Sequence, residues 1–230
     1  MKISIIIPTL NEAGNITRLV EYLRKYGKED LAEIIVVDGG SSDNTEELAR
    51  RAGACVYPSP RRGRSAQMNF GVQRSKGDIL YFVHADTLPP TSYVQDILQA
   101  VKNNYLIGCF RFRFDSDRLL LKINSWFTRL DVLWCRGGDQ TLFVTREVFR
   151  ELQGFCPEHI IMEEYDLIIR ARRSHPFRII PKEVLVSARK YDTNSYLRVQ
   201  IANFIAFNMY RLGFSQRGIY DTYRKLLDYR

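Results

Sequence analysis

Three short apolar runs, each cut off by a polar cluster, constrain the fold of this chain more than anything else in it. Ile3–Ile7 stops at Pro8 and is followed by Thr9-Leu10-Asn11-Glu12. Glu33–Val37 stops at Asp38-Gly39-Gly40-Ser41-Ser42, and Ile79–Val83 stops at His84-Ala85-Asp86. Runs this short and this rich in β-branched residues predict buried strands. Between them, Ile16, Leu19, Val20 and Leu23 recur at helical spacing behind Asn11, the expected cap. Thr45–Ala52, capped by Ser42 or Asp43, and Arg64–Arg74 read as further helices, with a weaker strand at Ala54–Tyr57. Pro89-Pro90 break the chain before a helix at Ser92–Lys102. Strands alternating with helices predict an α/β fold whose mostly parallel sheet is covered on both faces. Ligands of such sheets bind beyond the carboxyl ends of the strands, so the three polar clusters should converge on one site.

The second half changes character. Ile107–Phe114 is strongly aromatic and reads as a strand of mixed direction; Leu119–Leu133 reads as a helix. Gly137-Gly138 marks a loop, Gln140–Val144 a strand, Glu163–Arg173 a helix, and a last strand lies near Ile179. Tyr196–Tyr229 reads as two amphipathic helices parted near Gly213-Phe214-Ser215. A boundary near residue 104 divides one domain, about 1–190, into two halves, with 191–230 as a helical extension. Leu197, Ile201, Phe204, Ile205 and Asn208 share one helical face flanked by Arg198 and Arg211. Packing of that face on the catalytic domain, or on a second subunit as a homodimer, is expected ahead of peripheral membrane contact.

Thirty-four Lys and Arg against 26 Asp and Glu leave a net charge of +8, which favours anionic partners without choosing among them. Cys55, Cys109, Cys135 and Cys156 form no C-x-x-C pair, so free thiols in a reducing cytoplasm are expected rather than structural zinc. The apolar run at the N-terminus is too short for a signal peptide, and no stretch reaches the roughly 20 apolar residues of a membrane span. The expected location is cytoplasmic, extending to the inner face of the membrane. The 13 Tyr and 13 Phe are spread through core elements and no nucleic-acid motif accompanies them, so a nucleic-acid partner is not expected.

Four groups carry candidate chemistry. Asp38 at a strand end can accept hydrogen bonds from a base or ribose, or can be an ordinary turn aspartate; Gly39 and Gly40 let a ligand approach the backbone. Asp86 can hold a hard divalent cation bound to a diphosphate, or can cap the next turn. Arg64, beside Arg61 and Arg62, offers a phosphate-matching fork or a solvated loop. Met162-Glu163-Glu164-Tyr165-Asp166 packs three acids together. One of them can serve as a general base, or the run can be an acidic first helical turn.

These residues, in this order, resemble the family 2 glycosyltransferases: Ser4–Glu12, Val36–Asp43, Gly63-Arg64, and Gly77-Asp78-Ile79-Leu80 leading to His84-Ala85-Asp86-Thr87. The resemblance implies a Rossmann-like GT-A fold and transfer of a sugar from a nucleotide-diphosphate donor, generally with inversion. Gly138-Asp139-Gln140, Gly154-Phe155, Met162-Glu163-Glu164 and Ser187–Tyr191 are similar to a bacterial subgroup of small members whose acceptors are undefined. It further implies that Pro8, Thr9 and Glu12 line the nucleoside pocket, that Asp38 holds the base or ribose, and that Arg64 reaches the nucleotide. His84, Ala85 and Asp86 match the D-x-D motif, with Asp86 binding Mg²⁺ or Mn²⁺. Glu164 becomes the candidate base with Glu163 beside it, Gly138, Asp139 and Gln140 lie near the donor sugar or acceptor, and Arg189 reaches the diphosphate on closure. The implied partners are a nucleotide-sugar donor and an unidentified acceptor, a lipid-linked one included. Two departures stand out: His84 replaces the first acid of D-x-D, and Glu164 is one methylene longer than the usual Asp. A sugar nucleotidyltransferase is the nearest alternative, but Thr9–Gly14 lacks the Gly-rich loop such enzymes carry after the first strand.

Overall fold

All seven residues of strand β1 (Ile3–Thr9) are buried, so the first apolar run sits inside the sheet with both faces covered. Four isoleucines there are fully inaccessible, and each contributes roughly 1.5–3 kcal/mol of burial free energy. The computed structural model describes residues 1–228; Tyr229 and Arg230, the end of the expected helical tail, lie outside the described residues. In chain order the elements after β1 are α1 (Ala13–Gly27), β2 (Leu31–Asp38), α2 (Thr45–Arg51), β3 (Cys55–Pro58), α3 (Arg64–Arg74) and β4 (Ile79–Phe82). Then come β5 (Thr87–Leu88), α4 (Tyr93–Lys102), β6 (Ile107–Phe114), α5 (Leu119–Phe127), β7 (Leu142–Thr145) and α6 (Arg146–Glu151). The chain finishes with α7 (Glu163–Ala171), β8 (Phe177–Val186), α8 (Lys190–Thr193), α9 (Tyr196–Arg211) and α10 (Gln216–Leu226).

One eight-stranded sheet runs β3-β2-β1-β4-β7-β6-β8-β5. The first four strands are parallel, β7 runs against both β4 and β6, and β6 is parallel to β8. The aromatic strand Ile107–Phe114 is thus of mixed direction, as expected. Its Gly108 is required by close approach: a Cβ there would lie 2.3 Å from the Arg178 carbonyl oxygen and 2.7 Å from the Phe143 ring. The register pairs Thr9 with Asp38, and the Val83 amide donates to the Ile6 carbonyl at 3.1 Å. The polar ends of β1, β2 and β4 therefore emerge side by side.

Several local expectations are corrected. Asn11 does not cap α1; Glu12 occupies that position, and Asn11 sits at φ 55°, a left-handed conformation that Asn tolerates. Its side-chain oxygen instead accepts the Ser42 amide at 2.8 Å, tying two strand-end loops together. The helix expected at Leu119–Leu133 ends at Phe127, because the buried Arg136 guanidinium takes the Thr128 and Leu130 carbonyls at 2.8 and 2.5 Å. Gln140 belongs to a 3-10 turn, Gly138–Gln140, and the strand begins at Leu142. Elements β5, α6 and α8 have no counterpart in the sequence reading.

The α9 helix buries Val199, Ala202 and Ala206 in the same core as β1, joined by Ile219 and Tyr223 of α10. Of the face expected to pack on the domain or on a second subunit, Leu197, Ile201 and Phe204 are exposed and do not pack on the domain. Small residues let α9 approach closely, so its larger apolar side chains are left outside. Among the described residues no helix is long and apolar enough to cross a membrane.

Candidate active site

Asp38 is 1% exposed and its carboxylate is fully engaged by its own chain. Oδ1 accepts from the Thr9 hydroxyl at 3.0 Å and the Ser41 hydroxyl at 2.5 Å; Oδ2 accepts the Gly40 and Ser41 amides at 2.9 and 2.7 Å. Gln67, which the sequence reading missed, braces the same corner: its amide nitrogen donates to the Thr9 and Val37 carbonyls, each at 2.8 Å. A lone glutamine inside a helical pattern carries no signal of such a role. Pro8, in β1, and Ala85, just after β4, are buried.

Beside this corner a guanidinium bridges two acids. Arg189, arriving after β8, grips Glu12 through both oxygens at 2.5 and 3.1 Å and lies 3.2 Å from Asp86 Oδ2. Burial raises the Asp86 carboxyl above its usual value; His84 and Arg189 oppose that rise, and Asp139 and Glu12 add to it. A cation already compensates Asp86 at this position. Among the described residues no three His, Cys, Asp or Glu side chains cluster as a metal cage. One carboxylate of this kind fits a hard divalent cation whose remaining ligands are water and the oxygens of a bound diphosphate.

His84 does not replace the missing acid as a partner of Asp86. Its Nε2 lies 3.4 Å from Glu164 Oε1 and its Nδ1 3.8 Å from Asp139 Oδ1. Burial alone would lower the His84 pKa, but the hydrogen bond to Glu164 and the nearby carboxylates raise it against Arg64. Burial alone would raise Glu164, yet the His84 hydrogen bond, with the Arg64 and His84 charges, takes it down to about 2. Its neighbour behaves oppositely. Glu163 is fully inaccessible, and burial pushes it up to about 7, with Arg64 opposing and Glu164 adding. Arg64 Nε stands 2.7 Å from Glu163 Oε1, while Oε2 has no hydrogen-bond partner.

The third acid of the run is directed elsewhere: Asp166 pairs with Arg170 at 2.5 Å. Gln140 is 1% exposed, and its oxygen faces the Cys109 thiol at 3.5 Å while its Nε2 has no partner. Asp139, on the same turn, is open to solvent and faces His84. The turn thus brings Asp139 to the site and turns the Gln140 side chain inward.

Glu163 makes stability depend on pH with a definite sign. Its folded pKa is raised, so its contribution is complete below the ordinary value of 4.5 and is lost as pH rises through about 7. The melting temperature of Glu163→Gln relative to wild type should therefore rise as pH goes from about 4.5 to about 7 and level off above that range. Melting curves that stay parallel across that range would show that Glu163 does not titrate there.

A parallel-stranded α/β sheet with an acidic, arginine-clamped site at the carboxyl ends of β1, β2 and β4 defines a GT-A-type fold. Mycobacterium tuberculosis glucosyl-3-phosphoglycerate synthase shares it; in its crystal structure with Mn²⁺, uridine diphosphate and glucosyl-3-phosphoglycerate it superposes with a TM-score of 0.67, at 19% identity. That match covers 93% of this chain and 80% of the other. Residues 4–160 match glycosyl transferase family 2, and the chain belongs to that family. Glycosyltransferase AglE of Haloferax volcanii is 33% identical over 175 residues, 69% of this chain and 57% of that protein. Dolichol-phosphate mannosyltransferase of Pyrococcus furiosus is 31% identical over 109 residues, 45% of this chain and 31% of that protein. The chain spans from about a third to just over half the length of these curated relatives.

Proposed function

We propose that the chain is an inverting glycosyltransferase that moves a sugar from a nucleotide-diphosphate donor to an acceptor hydroxyl. The observation that carries this reading is a pair of acids at the end of β4: Glu164, a buried carboxylate held low beside His84, and Asp86, two residues on from His84, compensated by the Arg189–Glu12 pair. The nucleoside lies over the Thr9–Asp38 corner, with Glu12 and Arg64 at its edges. Asp86 would hold Mg²⁺ or Mn²⁺, which when bound would supply Lewis-acid neutralisation of the leaving diphosphate. Arg189 turns from Asp86 toward the diphosphate. Asp139 and Gly138 border the donor sugar and the acceptor.

In the transfer, the acceptor oxygen bonds to the anomeric carbon while the bond from that carbon to the diphosphate oxygen breaks. The electron pair leaves with the nucleoside diphosphate, and the hydroxyl proton passes to Glu164. A carboxylate with so low a pKa is unprotonated throughout the physiological range. It is also a weak base, so the proton moves late, when bond formation has made the hydroxyl acidic. Attack from the face opposite the diphosphate inverts the anomeric centre. A lipid-linked acceptor is favoured by the relative named for dolichol phosphate. Proton NMR of the first product formed from an α-linked donor is expected to show a β-linked anomeric signal; an α-linked product would overturn the in-line displacement.

A further inference from the structure

Two exposed apolar surfaces lie near the site, and none of the described residues covers either one. On α5, Leu121 and Ser125 face the core while Leu119, Leu120, Ile123 and Trp126 face outward. The outward face continues past the helix through Phe127 to Trp134, whose rings lie 5.9 Å apart. On α9, Leu197, Ile201 and Phe204 are exposed, and Leu212 and Phe214 extend the surface beyond the helix.

The two surfaces flank the same opening. Arg118, at the start of α5, donates to the Tyr191 carbonyl just ahead of α9 at 2.8 Å. On the other side Tyr165, next to Glu164, lies 5.7 Å ring to ring from Phe207 of α9. A groove of about 520 Å³ runs along α5 past Lys122 and Trp126. It shares Asp115 and Leu185 with a cavity of about 80 Å³ that reaches Asp86. The two cavities therefore share part of their wall, one bordering the apolar rim and the other Asp86.

Charge identifies the occupant. Segments 111–134 and 187–228, which build the two surfaces, hold twelve Lys and Arg against six Asp and Glu, so most of the chain's net +8 lies here. Apolar side chains with aromatic rings at their edge, set among cations, match the boundary of a bilayer with anionic headgroups. We infer that α5 with its extension to Trp134, together with the outer face of α9, docks on an anionic lipid bilayer, with the groove as the entry for an acceptor held in it. The entry role rests on the transferase reading; the docking itself is measured without donor or acceptor.

The test is built into the chain, because Trp126 and Trp134 are its only two tryptophans and both lie on this surface, 52% and 57% exposed. Full-length protein is mixed with vesicles of phosphatidylcholine alone or of phosphatidylcholine with phosphatidylglycerol. The expected result is a blue shift of the tryptophan emission and co-flotation with the anionic vesicles, weaker with neutral ones and weaker in high salt. Leu120→Ser with Ile123→Ser should weaken binding roughly tenfold or more. Circular dichroism and nucleotide binding report that this variant is folded. No shift and no flotation with either vesicle would overturn docking while leaving nucleotide binding, and so the transferase reading, standing. An emission already blue-shifted without lipid, in protein of dimer mass, would overturn it in favour of a second copy on this face.

Discussion

Glu164→Gln is expected to lower the transfer rate by about 10²–10⁴-fold, the range a positioned general base contributes, while donor affinity stays within a few-fold. The amide matches the carboxylate in shape and can still accept a hydrogen bond from His84, which lies 3.4 Å away. It cannot take up a proton. The loss should therefore appear in kcat and not in the donor's KM, as for an interaction made only in the transition state. Glu164→Asp should recover part of the rate, since it restores the charge and shifts the carboxylate by about one bond length. Full turnover by Glu164→Gln would move the base elsewhere, and Asp139, on the other side of His84, would be the next residue to replace.

Asp86→Ala is expected to weaken donor binding in the presence of Mn²⁺ by about 10–100-fold or more. Changes in groups that merely orient a metal ligand already cost about that much, and Asp86 would be a ligand itself. In the absence of metal, the variant and the wild type should bind the nucleotide about equally. Arg189 explains why the two conditions separate. In the present arrangement its guanidinium compensates Asp86 while clamped on Glu12, so the carboxylate is stable without a metal. With a divalent cation on Asp86, Arg189 would no longer be needed to compensate that carboxylate and could face the phosphates. Equal losses for Asp86→Ala with and without Mn²⁺ would mean that Asp86 serves the fold of the strand end and not the metal.

The positions that the sequence reveals well are those governed by local periodicity. The runs ending at Pro8, Asp38 and Val83 are buried strands because β-branched residues with polar stops permit little else, and the parallel arrangement follows from the helices between them. Where a distant side chain decides, the sequence is silent. The end of α5 is set by Arg136, which takes carbonyls that would otherwise continue the helix. Gln67 is buried against the ends of β1 and β2 from α3, and no pattern marks it. The acids at 163, 164 and 166 illustrate both limits. The run alone does not tell them apart, yet burial raises Glu163, His84 draws Glu164 down, and Asp166 is directed to Arg170. Those partners lie across the fold or one helical turn away. The resemblance to known transferases, rather than any spacing, singled out Arg189, which reaches Glu12 over 177 residues of sequence.

The most direct measurement is a calorimetric titration of the wild-type chain with uridine and guanosine diphosphate sugars, with and without Mn²⁺. Saturable binding of one donor, tightened at least about tenfold by the metal, is the predicted result. That tightening should vanish in Asp86→Ala. Failure to bind any nucleotide sugar, or binding indifferent both to Mn²⁺ and to the loss of Asp86, would contradict a donor site at the ends of β1, β2 and β4.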